Sequence, residues 1–217
     1  MRNYAKLTIR LIAAWFIAVL AASALHVFST APNRPPVALG LAALLPIAAF
    51  SLWFANSEPF RRFALALNPR ALTMLHSWRV VGFVFLGLYA YGRLPGLFAL
   101  PAGLGDIAIG ATASLVALKL ANANHRSSFI LWQALGILDL VTALSLGATA
   151  SLIDPSGIPT SLMGVLPLSL IPTFVVPLLL ILHFICIAQA RRWPAQGHTR
   201  LVTAKRDSTS ALTGADV

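Results

Sequence analysis

The sequence predicts an all-α integral membrane protein, a bundle of about six transmembrane helices with its N- and C-termini in the cytoplasm. Of the 217 residues, 58% are hydrophobic and only 10% are charged, and the mean hydropathy is +0.82. A soluble domain is about half apolar and a quarter charged. The chain also contains six long apolar runs, each of which could span a membrane. The uneven distribution of Lys and Arg between alternate loops indicates which loops are cytoplasmic.

The net charge of +10 does not indicate nucleic-acid binding. The basic residues lie in short loops and at the ends of apolar runs, where they orient membrane spans and meet anionic lipid. No basic patch is interleaved with aromatic residues as a single-strand binder would require. The lone Cys186 excludes an intrachain disulfide and a cysteine-based metal cluster. The expected partners are therefore the lipid bilayer and, in addition, further copies of the chain or other membrane subunits.

The predicted organisation is one transmembrane domain over residues 1–190 and a disordered basic cytoplasmic tail over 191–217. The tail is rich in Ser, Thr, Ala and Gly, a composition that cannot form a packed core. Each span needs about 20 apolar residues. The predicted spans are approximately 11–28, 37–55, 72–91, 104–121, 129–150 and 168–190.

The first apolar run has two readings. A basic start, an apolar middle and the small residues Ala22, Ser23 and Ala24 are typical of a cleaved signal peptide, which would remove about residues 1–24. The run is longer than a usual signal core, which favours an uncleaved first span. We predict the uncleaved span and leave cleavage as the alternative.

Two connecting segments carry structural predictions. Residues 59–65 mix aromatic and basic side chains, which fits either a short helix in the headgroup layer or an ordinary loop. Residues 92–103 are apolar but rich in Pro and Gly, so we predict an interfacial or shallow re-entrant loop there.

The sixth run has prolines at 167, 172 and 177, which predicts an irregular first half and a regular helix from about Pro177.

Positive charge predicts the orientation. Thirteen of the sixteen Lys and Arg residues fall in the N-terminus, the second and fourth loops and the tail, whereas the other loops hold only Arg34 and Arg93. The remaining one, Arg79, lies inside a span. Cytoplasmic loops carry the excess of Lys and Arg, so both termini are predicted to be cytoplasmic, in a bacterial-type inner membrane.

Five ionisable residues lie in or beside the predicted spans and are the candidate substrate or proton path. An ionisable group in hydrocarbon is costly, so each needs a partner, a cavity or a task. At 1.5 Å per residue, four of them fall at similar depths about 6–15 Å from the cytoplasmic edge. Asp106, near the start of its predicted span, is expected nearer the outside. We therefore predict an inner group and a separate outer site; the candidates are His76, Arg79, Asp106, Asp139 and His183.

Function is predicted only as a class. The leading hypothesis is a small transporter or channel-like protein for a small solute or protons, because broken helices and buried charges often build transport sites. The alternatives are a non-catalytic subunit or scaffold of a larger complex, a haem-binding protein that uses His76 and His183, and an intramembrane enzyme that uses Asp139 or His183. No phosphate-binding loop, His-Glu-x-x-His or Gly-x-Ser-x-Gly motif occurs, so catalysis is not the expected role. No cofactor or metal is expected, with haem the one cofactor considered.

Overall fold

The computed structural model describes residues 2–31, 34–154 and 157–194, and within these ranges it contains helices and connecting turns but no strand. Residues 195–217, most of the predicted tail, lie outside the described residues. Six helical segments are long and apolar enough to cross a membrane: Tyr4–Ala24, Val37–Asn56, Pro69–Ala90, Gly96–Lys119, Ala123–Ala150 and Ile171–Ala190.

Helix α1 spans Arg2–Ala24 and packs loosely on the rest of the bundle. Its main aromatic contact places Trp15 4.6 Å and Phe16 5.1 Å from Phe174, measured between ring centroids. The predicted first span ended at residue 28, but α1 ends four residues earlier. A turn follows, in which His26 adopts a left-handed φ of 60°.

Helices α2, Val37–Asn56, and α3, Glu58–Leu65, meet at Ser57, whose hydroxyl caps α3 by accepting the Phe60 amide. Phe60 stacks on Trp53 with centroids 3.9 Å apart, which fixes the corner between the two helices. The amide nitrogen of Gln189 donates to the Leu67 carbonyl just past α3 at 2.7 Å, and lies 3.3 Å from the Ala64 and Leu65 carbonyls at the end of that helix. Residues 59–65 are therefore helical, and their place in the headgroup layer stays a prediction.

The third span is not a uniform helix. It consists of α4, Pro69–Met74, a 3-10 segment over Leu75–Gly82, and α5, Phe83–Ala90. A 3-10 helix has three residues per turn, so side chains three apart lie directly above one another. His76, Arg79 and Gly82 form such a row and are buried, as is Thr73, three residues before His76 near the end of α4.

Helix α6 spans Gly96–Lys119 and begins directly after Pro95. The prediction of a loop up to residue 103 was wrong from Gly96 onwards, because α6 continues through Pro101. Small side chains allow α6 to approach its neighbours closely. The buried small residues along it are Ala99, Ala102, Gly103, Gly110, Ala113 and Ala117.

The last two long helices are α7, Arg126–Ile153, and α8, Val176–Ala190. Between them lie a 3-10 turn at Thr160–Gly164 and a π-helical turn at Ile171–Val175. The irregular first half of the sixth run agrees with the prediction, since α8 starts one residue before Pro177. The span that includes α8 is the most buried of the six, and it packs against α7, α4 and α2.

Candidate functional site

Arg79 is the centre of a buried ion cluster, which we define as Arg79, Asp106 and Asp139. Its Nε donates to Asp106 Oδ1 at 2.7 Å, and its Nη2 donates to Asp139 Oδ2. The Arg79 side chain is 1% exposed, whereas Asp106 and Asp139 keep 18% and 14% of their side-chain surface accessible. The guanidinium has five donors in a fixed plane, so one arginine can bind two carboxylates from different helices.

A hydrogen-bond chain leads away from this cluster. Arg79 Nη1 lies 3.4 Å from His183 Nε2, and His183 Nδ1 is bonded to Gln133 Oε1. Gln133 Nε2 donates to Thr73 Oγ1 at 3.2 Å, and Thr73 Oγ1 donates to the Pro69 carbonyl at 2.8 Å.

The chain has one direction because arginine can only donate. His183 Nε2 must therefore accept, which leaves the proton on Nδ1 and makes Gln133 Oε1 the acceptor. In each later bond, the residue nearer Arg79 is the donor and the next residue is the acceptor. Each residue of the chain therefore has a hydrogen-bond partner on both sides. The network joins the third, fourth, fifth and sixth spans.

His76 lies beside this chain without a hydrogen bond. Its side chain is fully buried, and neither ring nitrogen has a partner among the described residues. The ring stacks on His183 with centroids 3.9 Å apart and meets Trp132 edge to face at 6.0 Å. Two axial haem ligands must lie on opposite faces of a porphyrin, and rings stacked this closely leave no room for one. The geometry argues against haem between His76 and His183.

Glycines surround the cluster because its side chains lie against neighbouring backbones. A Cβ at Gly82 would overlap Asp106, and one at Gly105 would overlap the Asp139 carboxylate. A Cβ at Gly136 would overlap the His183 ring, and one at Gly110 would overlap the backbone of Val80. Interior packing leaves little room for an added methyl group, so these four positions need glycine for the charged side chains to meet.

A cavity of about 100 Å³ reaches the cluster from one end of the bundle, and we call it the Asp106 cavity. It runs along α7 from Leu140 to Leu152, which at 1.5 Å per residue is roughly 18 Å. Among the described residues that line it, only Asp106 and Arg34 are ionisable, and Arg34 lies in the exposed loop before α2. Thr30 and Ser161 line both this cavity and a more open depression on the surface, so the two lie next to each other.

The structure brings all five predicted residues together, which corrects one placement. Asp106 does not form a separate outer site, because it bonds directly to Arg79. The predicted span began at residue 104 and placed Asp106 near its end. With α6 starting at Gly96, Asp106 lies ten residues along the helix, about 15 Å deep.

Sequence reasoning missed one member of the hydrogen-bond chain and one residue beside it. Thr73 was not singled out, although it precedes His76 by the same three-residue step that separates His76 from Arg79. Thr112 was also missed; its hydroxyl accepts the Trp132 indole N–H at 2.9 Å. A search for buried polar residues at a period of three, rather than 3.6, would have found Thr73.

The comparisons with known proteins identify a family but no activity. A family model described as "Domain of unknown function (DUF8737)" matches residues 32–191, which include every residue of the ion cluster and of the hydrogen-bond chain. No curated protein and no solved structure matches the chain.

Proposed function

Because this chain belongs to the DUF8737 family, a domain of unknown function, we propose a function from its site alone. We propose that it is a multi-pass protein of a bacterial-type cytoplasmic membrane that moves a small solute together with, or in exchange for, protons. Both termini are then cytoplasmic, and the mouth of the Asp106 cavity faces the outside.

One observation carries the proposal: Asp106 belongs to both the cavity and the ion cluster. It lines a cavity that is open at one end of the bundle, and its Oδ1 accepts a bond from Arg79. A solute in the cavity therefore meets a charged group that is bonded to the middle of the bundle. A purely structural ion network has no need of a cavity leading to it.

The charge balance of the cluster supports a role for protons. One guanidinium faces two carboxylates, so the cluster carries one net negative charge when both carboxylates are ionised. An unbalanced charge in an apolar interior is costly. A proton or a cation at this position removes the imbalance, and exchange of the two is the simplest coupling that the site offers.

The helix irregularities support movement at the site. Arg79 lies in the 3-10 segment, and the π-helical turn Ile171–Val175 forms part of the cavity wall. Such segments recur at functional hinges, and broken helices build the binding sites of many transporters.

Orientation follows from the distribution of charge. Two basic residues, Arg34 and Arg93, lie at the end of the bundle that contains the cavity mouth. The loops at the opposite end hold five: Arg61, Arg62, Arg70, Lys119 and Arg126. The rule that basic loops are cytoplasmic supports a mouth that faces the outside.

The test uses purified protein in liposomes that contain a pH-sensitive dye. Valinomycin with equal potassium on both sides holds the membrane potential at zero, and an acidic outside buffer drives protons inwards. The rate of internal acidification is measured with a small solute added inside or outside the liposomes. We expect wild-type protein to acidify the interior and Asp106→Asn to slow this at least tenfold. Glu58→Gln is the matched control, because Glu58 is an exposed carboxylate paired with Arg62. A wild-type rate equal to that of empty liposomes, across a panel of added small solutes, would overturn the proposal.

A scaffold is the second candidate, and the Arg79 contacts favour it. Arg79 joins α6, α7 and α8 to the third span, as a residue that only holds helices in register would do. A scaffold predicts that Asp106→Asn alters stability while proton flux is zero in every variant.

A further inference from the structure

The Asp106 cavity has a wall and an inner end of different chemistry. The wall is built from side chains such as Phe85, Phe98 and Leu144, which offer hydrocarbon and aromatic surface. At the inner end stands the Asp106 carboxylate. Asp106 Oδ1 accepts the Arg79 bond, while Oδ2 accepts none from the described residues. A ligand that fills this cavity must therefore present an apolar body and a hydrogen-bond donor at its deep end.

The volume limits the ligand to a compact molecule. A buried water needs roughly 10–15 Å³ measured in this way, so about 100 Å³ accepts several waters or one small organic molecule. Ligand pockets of this kind combine an apolar wall with a few polar groups that fix orientation.

The charge of the cluster selects the sign of the ligand. When both carboxylates are ionised, one positive and two negative groups leave a negative excess at the end of the cavity, which an anion would increase and a cation would cancel. Arg34 lies at the opposite, exposed end, where it faces the distal part of a ligand or solvent. A protonated amine supplies the positive charge and the N–H donors at once, and its hydrocarbon part covers the apolar wall.

We infer that the Asp106 cavity binds a small amphiphilic amine, with its ammonium group on the free oxygen of Asp106 and its apolar part along α7. This deepens the proposed function and rests on it for one step, the exchange of the amine for a proton of the cluster. Binding itself requires no transport and is measured separately.

The test compares three molecules of similar shape and different charge. Radiolabelled 2-phenylethylamine, 3-phenylpropionate and 2-phenylethanol are titrated at pH 7 onto the full chain in nanodiscs of neutral phosphatidylcholine, with empty nanodiscs as the blank. We expect saturable binding of the amine, and binding of the anion and the alcohol at least tenfold weaker. Equal binding of all three, or no amine binding above the blank, would overturn the inference.

Variants locate the binding. Asp106→Asn should weaken amine binding at least tenfold, since it removes the charge. Gly40→Leu on α2 and Ala143→Leu on α7 should each abolish it, and a Cβ at Gly40 meets no atom within 4 Å. Gly87→Leu is the matched control: its Cβ also meets nothing, and it does not line the cavity.

Each result separates this inference from the proposed function. Amine binding that survives Asp106→Asn, or survives both cavity-filling changes, places the amine elsewhere and contradicts the inference. Specific binding without any proton or amine flux in liposomes would leave the inference standing and remove the transport proposal. Proton flux without amine binding would support the transport proposal and contradict the inference that the cavity binds an amine.

Discussion

His76 stacks face to face on His183, with ring centroids 3.9 Å apart and ring planes 23° from parallel. The two residues are held differently. His183 is bonded at both nitrogens, whereas His76 has no hydrogen bond among the described residues and is fixed by its ring contacts alone. His183 is therefore part of the directional hydrogen-bond chain that begins at Arg79. The His76 ring packs on one face of the His183 ring.

The hydrogen-bond chain predicts the tautomer of His183. Since Arg79 only donates, His183 must carry its proton on Nδ1 and leave Nε2 as the acceptor. Nitrogen-15 NMR of selectively labelled protein should show one protonated and one unprotonated ring nitrogen at neutral pH. Gln133→Leu removes the acceptor of Nδ1 and should broaden or shift that signal. A proton on Nε2 in wild-type protein would contradict the chain as described.

Removing Arg79 should be strongly destabilising. Arg79→Ala leaves two partly buried carboxylates without a counterion. Breaking a fully buried pair in this way typically costs about 3–5 kcal/mol, which is an upper figure for this cluster. We expect the triple variant Arg79→Ala/Asp106→Asn/Asp139→Asn to recover much of the loss, because it removes the orphaned charges as well. The unfolding temperature in detergent measures both. A triple variant as unstable as Arg79→Ala would mean that shape rather than charge dominates.

The glycines around the cluster should tolerate no side chain. Gly105→Ala places a methyl group on the Asp139 carboxylate, and overpacking of this kind costs about 1–3 kcal/mol. Gly87→Ala is the matched control, because its Cβ meets nothing within 4 Å and alanine is the better helix former by up to about 1 kcal/mol. Unfolding temperatures should fall for the first and stay level or rise for the second. Equal temperatures would show that the bundle relaxes around Gly105.

Arg79→Lys should separate charge from geometry. Lysine keeps the positive charge but is a point charge without the planar fork that reaches Asp106, Asp139 and His183 together. We expect stability between those of wild type and Arg79→Ala, and a fall of at least tenfold in any proton flux that wild type shows. Full flux in Arg79→Lys would mean that only the charge matters.

The proposed orientation can be tested with single cysteines on a Cys186→Ala background. Ser161 lines the cavity mouth and Ser127 lies near the start of α7 at the other end, and both are exposed. A membrane-impermeant maleimide added to intact cells should label Ser161→Cys and not Ser127→Cys, with both labelled after lysis. The reverse pattern would invert the proposed topology.

Hydropathy and spacing predicted most of the architecture. The six apolar runs correspond to the six candidate spans, because apolar composition over about 20 residues is a local property of the sequence. His76 and Arg79 are three residues apart, and the 3-10 geometry aligns them more closely than an α-helix would.

The sequence predictions were wrong where the local composition of a segment indicates one structure and its packing in the bundle stabilises another. The Pro- and Gly-rich stretch before residue 104 reads as a loop, yet Pro101 is accommodated inside α6 and the glycines serve close packing. This single boundary displaced Asp106 by eight residues along its helix and separated it from Arg79. The 3-10 segment was also missed, because no residue within Leu75–Gly82 breaks an α-helix before the final glycine.

The eight-residue 3-10 segment makes the third span longer than the same residues would be in an α-helix. At roughly 2.0 Å per residue it covers about 16 Å, whereas the same residues in an α-helix would cover about 12 Å. Rewinding it would draw the two ends of that span together by about 4 Å and turn His76 about 60° away from Arg79. A change of the third span between 3-10 and α-helical winding would therefore move the Arg79 guanidinium relative to the Asp106 and Asp139 carboxylates. Spin labels at Pro69 and Ala90 would detect that shortening directly.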